Sequence, residues 1–424
     1  MPVGAEGRSA GWRPFWTVAA ARYGTPLYLY DVPIVQARMT ALRRALPASA
    51  EVFYAVKANG SLALVDELRR LGCGADVCSL GELETVRAAG FSADHVLYTG
   101  PAKSEREIAE AVSSGIGLIV VESEAEAVQV AAVAAWAGIR QPVLLRINPG
   151  PALPRRGLAH SRRFGVDEVD ASTVAEHVRA LPDVELRGIH VSTGSNLCHT
   201  AHLLERAEYT FGLAARLRDD GCEIAVVDLG GGLGAPHSPR SASVDVHAYG
   251  AGLRRIANRH PGVAVILELG RYPVAESGTY IVSVAAVKRS AGVTFAFVDG
   301  GINHLYRPRL TPAGDPPPVL AAGVAAPEVV TVAGPLLDGD DLLAEAVRIP
   351  DPEVGDLLAI PGCGAYGYAH GLHGFCLHAT PAEVIWDGAR LHLVRERGEP
   401  LTVTAGQHLP QRHAFPDPAR AASR

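Results

Sequence analysis

The chain has 424 residues, a hydrophobic fraction of 48%, a charged fraction of 20% and a formal net charge of −6. Its length suits two domains with a large buried core, and its acidic balance offers no basic field for a phosphate backbone, so nucleic acid is not an expected partner. The six cysteines contain no CxxC pair, as expected of reduced thiols in a cytoplasm. No run of about eighteen apolar residues argues for a membrane span, and the opening MPVGAEGRSAGWRPF is not that of a signal peptide.

In chain order, residues 1–30 read as an N-terminal segment whose PLYLYD stretch joins a later β domain. From residue 31 to 275 short β-rich runs alternate with amphipathic helices. The strands expected are EVFYAV (51–56), CGADV (73–77), HVLYT (95–99), GLIVV (117–121), PVLLRI (142–147), ELRGIHV (185–191), EIAVVDL (223–229) and AVILEL (264–269). Apolar runs with helices between them imply parallel strands buried on both faces, in the number of a (β/α)8 barrel. Over 276–405 the texture becomes β-like with little helix, predicting a mostly antiparallel β-barrel or sandwich domain. Residues 406–424 read as a disordered tail.

Lysine is confined to Lys57, Lys103 and Lys288, so amine chemistry is easily localised. Lys57 follows the first barrel strand, where side chains face the mouth of the barrel. Its apolar neighbours Val56 and Ala58 predict a depressed pKa and a nucleophilic amine; a snorkelling surface lysine is the plain alternative. Gly230, Gly231 and Gly232 follow strand seven, and Gly270 and Arg271 follow strand eight, where barrels bind phosphate on backbone N–H groups. Glu268 ends strand eight, suited to keeping a pyridine nitrogen protonated. No histidine cluster has carboxylate or cysteine at ligand spacing, so no metal site is expected.

The motifs YAVKANG, GADVCSLGELE, RINPG, GIHVSTGS, DLGGGLG, ELGRY, DGGINHLYRP, GPLLDGDD and GAYGY occur in the order seen in the fold-type III pyridoxal-phosphate decarboxylases, the group of diaminopimelate and ornithine decarboxylases, which this chain resembles over about residues 25–390. The resemblance implies an alanine-racemase-like barrel followed by a β domain, and pyridoxal 5'-phosphate as cofactor. It makes Lys57 the Schiff-base lysine and Glu268 the partner of the pyridine nitrogen. Gly231, Gly232, Gly270, Arg271, Ser195 and Tyr366 would hold the phosphate. Asp76, Ser79, Glu82 and Arg146 would line the pocket, and Arg307 would grip a substrate carboxylate, with Tyr366 beside it. It also implies a homodimer with shared active sites, the GPLLDGDD segment coming from the partner subunit.

Two positions depart from that pattern. Leu337 stands where the family carries a proton-donating cysteine, and Ser192 where it carries a histidine over the ring; His190, two residues earlier, is a candidate substitute. Cys363 is a conceivable acid, although a small core cysteine is the plainer reading. The FCLHATPAEV stretch resembles a branch in specialised metabolism that acts on an acidic amino acid tethered to an acyl or peptidyl carrier protein. Asp338, by contrast, stands where relatives bind a distal amine. The expected function is therefore α-decarboxylation of a free or carrier-tethered acidic or diamino acid. Diaminopimelate decarboxylation, racemisation and a catalytically impaired regulatory homologue remain open.

Overall fold

The computed structural model describes residues 15–151, 153, 163–236, 241–306, 318–321 and 326–409. A helix through 15–23 (α1) leads into β1 (Leu27–Asp31) and α2 (Val32–Ala45). Proline near its N-terminus favours α2, because the missing N–H lies where a helix leaves it unpaired anyway. The barrel then runs β2 (Ala50–Ala55), α3 (Leu62–Arg70), β3 (Gly74–Val77), α4 (Leu80–Ala88), β4 (Val96–Tyr98), α5 (Glu105–Ser113), β5 (Leu118–Val121) and α6 (Glu124–Ala137). It continues through β6 (Gln141–Asn148), the short β7 (Val166–Asp167), α7 (Ala171–Ala180), β8 (Val184–His190), α8 (Thr200–Asp219), β9 (Val226–Asp228), α9 (Val246–Asn258), β10 (Ala264–Leu269) and the one-turn α10 (Arg271–Val274).

All eight strands anticipated from the sequence form. They pair in parallel in the order β5-β4-β3-β2-β10-β9-β8-β6, and β5 bonds to β6 to close the ring. Local signals agree with the fold: Ser104 and Glu107 make a reciprocal capping box on α5, and Gly138 ends α6 with φ 68°.

Phe53, Leu97, Val120, Leu144, Val226 and Ile266, from six strands, form a cluster separate from the shell that holds the helices. They plug the barrel interior, as stacked side-chain layers do in this architecture. The other two strands contribute glycine. A Cβ on Gly74 would stand 2.6 Å from the Phe53 ring, and one on Gly188 would meet the Val226 carbonyl. With the interior filled, functional groups are left to the C-terminal rim.

The second unit contains β11 (Gly278–Ser290), β12 (Val293–Val298), β13 (Leu320–Ala321), β14 (Pro327–Ala333), β15 (Leu342–Pro350), β16 (Leu357–Pro361), β17 (Ala382–Trp386) and β18 (Leu391–Arg395). Its main path is β15-β14-β12-β11-β1-β17-β18, mostly antiparallel, with β16 on β11 and β13 on β16. β1 lies antiparallel to β11 and parallel to β17. In β15 LLAEAVRIP interrupts apolar alternation with Glu345 and Arg348, and pairing with β14 is what makes it a strand. Two ties join the units beside Lys57. Tyr366 N–H donates to the Ala58 carbonyl at 2.7 Å, and Asn59 Nδ2 donates to the Gly364 carbonyl at 2.9 Å.

Candidate active site

The rim carries one polar group from each barrel strand or the turn that follows it. In ring order these are Lys57 (β2), Asp76 (β3), Thr99 (β4), Glu122 (β5), Arg146 (β6), His190 (β8), Asp228 (β9) and Glu268 (β10). Parallel strands of equal tilt end at one level, so residues far apart in sequence meet there. A cavity of about 350 Å3 opens above them. Its wall includes Lys57, Arg146, Asn148, Pro149, Phe164, Ser192, Ser195, Gly231, Gly232, Glu268, Gly270, Arg271, Tyr366 and His370.

Lys57 sits in a short 3-10 turn, and its Nζ donates to Asp76 Oδ2 at 2.6 Å. Thr99 Oγ1 donates to Asp76 Oδ1 at 2.5 Å, which fixes the carboxylate. Burial works against the charged amine, but Asp76 and then Glu268 outweigh it and hold its pKa above the ordinary value. The expectation of a depressed pKa is thus wrong for this state of the protein. It considered only the sequence neighbours, whereas the dominant charge arrives from the next strand.

Glu268 is 5% exposed. Burial raises its pKa, but His190, whose Nε2 lies 3.4 Å from Oε2, together with Lys57 and Arg146 brings it down to about 2. Asp228 spends Oδ1 on the Gly230 N–H at 2.7 Å. Burial and then the charge of Glu268 push its carboxyl well up. Ligand atoms of His190, Asp228 and Glu268 all lie within 4.8 Å of one another. Two buried carboxyls that close do not both ionise, and the proton stays on Asp228. Glu268 Oε1 and Asp228 Oδ2 are buried without a hydrogen-bond partner.

Also on the cavity wall, Arg271 Nη1 donates to Ser195 Oγ at 2.9 Å, and its guanidinium lies 4.2 Å from the centre of the Tyr366 ring. Tyr366 adopts φ 57°, a left-handed conformation costly for a side-chain-bearing residue and held here by its bond to Ala58. Gly231 and Gly232 complete this wall; a Cβ on Gly231 would stand 2.8 Å from the Glu268 carbonyl. Arg146 pairs with Glu122 at 2.5 Å and lies 4.4 Å from the Phe164 ring centre.

The remaining sequence candidates divide between the site, the core and the surface. Ser79 caps α4 by accepting from Glu82 N–H, and Glu82 in turn accepts from Cys78 N–H. His190 is 1% exposed and engaged with Glu268, while Ser192 fronts the cavity. Cys363 is core, its Sγ donating to the Ile360 carbonyl. Leu337 and Asp338 lie in the exposed turn between β14 and β15, Leu337 being 98% exposed. Arg307 lies outside the described residues. Thr99, Glu122, Asp228 and Phe164 were not singled out from the sequence. The strand-end position of Glu122 and Asp228 was the signal that could have found them.

A family model described as "Pyridoxal-dependent decarboxylase, pyridoxal binding domain" matches residues 33–275. The chain belongs to the pyridoxal-dependent decarboxylases. It is 31% identical to L-glutamyl-[BtrI acyl-carrier protein] decarboxylase of Niallia circulans over 92% of this chain and 95% of that protein. It is 33% identical to diaminopimelate decarboxylase of Pseudomonas aeruginosa, covering 92% and 94%. The crystal structure of diaminopimelate decarboxylase from M. jannaschii with L-lysine superposes with a TM-score of 0.85 at 27% identity, covering 93% of this chain and 94% of that one. The protein is therefore a pyridoxal-phosphate-dependent decarboxylase.

The site fits that cofactor on its own chemistry. Lys57 would supply an amine for the aldehyde, and the partnerless Glu268 Oε1 suits a protonated pyridine nitrogen. The glycine turn with Ser195, Arg271 and Tyr366 suits a phosphate. No helix among the described residues is long and apolar enough to cross a membrane.

Proposed function

We propose that this decarboxylase removes the α-carboxylate of an acidic amino acid presented as a thioester on a carrier protein, in specialised metabolism, and that it acts as a cytoplasmic homodimer. The observation that carries the substrate assignment is the charge of the cavity wall. Glu268 is the only carboxylate among its described lining residues, and it is already engaged by His190. A free diamino acid would bring a second ammonium to a wall that offers it no counter-charge, a costly arrangement. Asn148, Pro149 and Phe164 instead present amide and aromatic surface suited to an uncharged arm. The carrier-protein substrate named for the Niallia circulans relative supports the same reading.

In this reading Lys57 Nζ would hold the cofactor aldehyde, and Asp76 would keep the amine protonated and aligned whenever it is free. Pyridoxal phosphate, when bound, supplies the electron sink for the pair left as CO2 departs. Glu268, ionised through His190, keeps the pyridine nitrogen protonated. Ser195, Gly231, Gly232, Arg271 and Tyr366 anchor the phosphate and so fix the orientation of the reacting bond. Leu337 has no proton to return to the product carbon. On the cavity wall the Lys57 ammonium carries one. The exposed Leu337–Asp338 turn suits insertion into a partner's site, which supports the dimer.

A second reading, decarboxylation of free diaminopimelate, is favoured by Asp338, an exposed carboxylate in that same turn. The deciding assay is CO2 release from glutamyl- and aspartyl-carrier-protein thioesters set against free diaminopimelate, ornithine, lysine, arginine, glutamate and aspartate. Faster turnover of free diaminopimelate than of any thioester replaces the first reading with the second. Enantiomer exchange without CO2 overturns both.

A further inference from the structure

Arg206, on α8, is a charged side chain without a counterpart. It is 1% exposed, and none of its three guanidinium nitrogens has a hydrogen-bond partner. α8 carries it behind the turn that follows β9. A Cβ built on Gly232 would stand 2.6 Å from Nη1 and 2.9 Å from Nη2, and Gly232 has φ 121°. The missing side chain therefore lets the guanidinium press against the turn from behind, while the other side of the turn fronts the cavity.

The titratable groups around it are Tyr249 on α9, Asp228 and Glu268, of which only Glu268 is ionised. Tyr249 Oη is itself buried and unpartnered, Asp228 Oδ1 accepts from the Gly230 N–H, and Glu268 is turned to His190. A buried, unpaired guanidinium is expensive. A fixed cation behind backbone N–H groups raises the potential for an anion in the concavity they form. Arg271 differs in kind, because it lines the cavity and bonds Ser195 directly.

We propose that Arg206 is a positioning residue for the cofactor phosphate, supplying from behind Gly232 the positive charge that the glycine turn presents to the anion. This rests on the reading that the turn cradles that phosphate. The test titrates cofactor-stripped, full-length protein with pyridoxal phosphate and with pyridoxal, the same aldehyde without phosphate, and follows the absorbance of the bound form. The quantity read is the dissociation constant for pyridoxal divided by that for pyridoxal phosphate.

Arg206→Met and Arg206→Gln are expected to lower the ratio about tenfold, the scale of one charge acting across a few ångströms of protein, mainly by weakening pyridoxal phosphate. Arg206→Lys, which retains the charge, is expected to keep most of it. An unchanged ratio in either neutral variant, or a loss in Arg206→Lys as large as in Arg206→Met, overturns the proposal. The ratio is internal to each variant, so partial misfolding does not imitate the effect. A variant that folds only with ligand gives the same comparison through the thermal shifts produced by the two aldehydes. Arg271→Met separates the two levels of the argument. If it leaves the ratio unchanged, the cradle reading fails; if it lowers the ratio and the Arg206 variants do not, only the role of Arg206 fails.

Discussion

Replacing Glu268 with glutamine keeps the shape of the side chain and removes the charge on which the site is organised. Its pKa falls from an ordinary 4.5 to about 2 in the folded protein. At about 1.4 kcal/mol for each tenfold change in proton affinity, the ionised carboxylate contributes about 3 kcal/mol to the stability of the cofactor-free protein at pH 7. The folded-state value is depressed, so this contribution is present above the unfolded value and is lost as pH falls between about 4.5 and 2. Urea unfolding of wild type and Glu268→Gln should therefore differ by about 3 kcal/mol at pH 7, and by roughly half of that at pH 3. The variant should also release less CO2, because glutamine does not hold a proton on the pyridine nitrogen. Equal stability at pH 7 would mean that Glu268 is protonated in the native protein, and the charge balance around His190, Lys57 and Asp228 would have to be redrawn.

Other substitutions separate the remaining parts. Lys57→Ala should purify without the visible absorbance of lysine-bound pyridoxal phosphate and should show no CO2 release above background. Asp76→Asn removes the charge that keeps the amine protonated, so the pH dependence of cofactor capture by Lys57 should move to lower pH, read by absorbance titration; an unmoved profile would refute the pairing. Asp228→Asn should be close to neutral in stability, because an amide can accept from Gly230 and donate toward Glu268 as a protonated acid does, whereas Asp228→Ala should cost roughly 1–3 kcal/mol by chemical denaturation. Gly231→Val places a branched side chain where a Cβ already stands 2.8 Å from the Glu268 carbonyl, and should weaken pyridoxal phosphate binding at least tenfold in fluorescence titration.

The sequence alone determined the repeating strand–helix order, the closed barrel and the change to β structure after it. Those depend on local signals that survive in one dimension: buried apolar runs, amphipathic helices and glycine stops. It also marked Lys57, Glu268, Arg271 and the glycine triplet, because in a barrel a strand end is a rim position. It misjudged the Lys57 amine, whose charge state is set by Asp76, nineteen residues away in sequence. Only the tertiary structure decided which carboxyl keeps its proton, that His190 serves Glu268 while Ser192 fronts the cavity, and that Arg206 lies behind Gly232. Electrostatic interaction depends on distance through space and on burial, and neither is written along the chain.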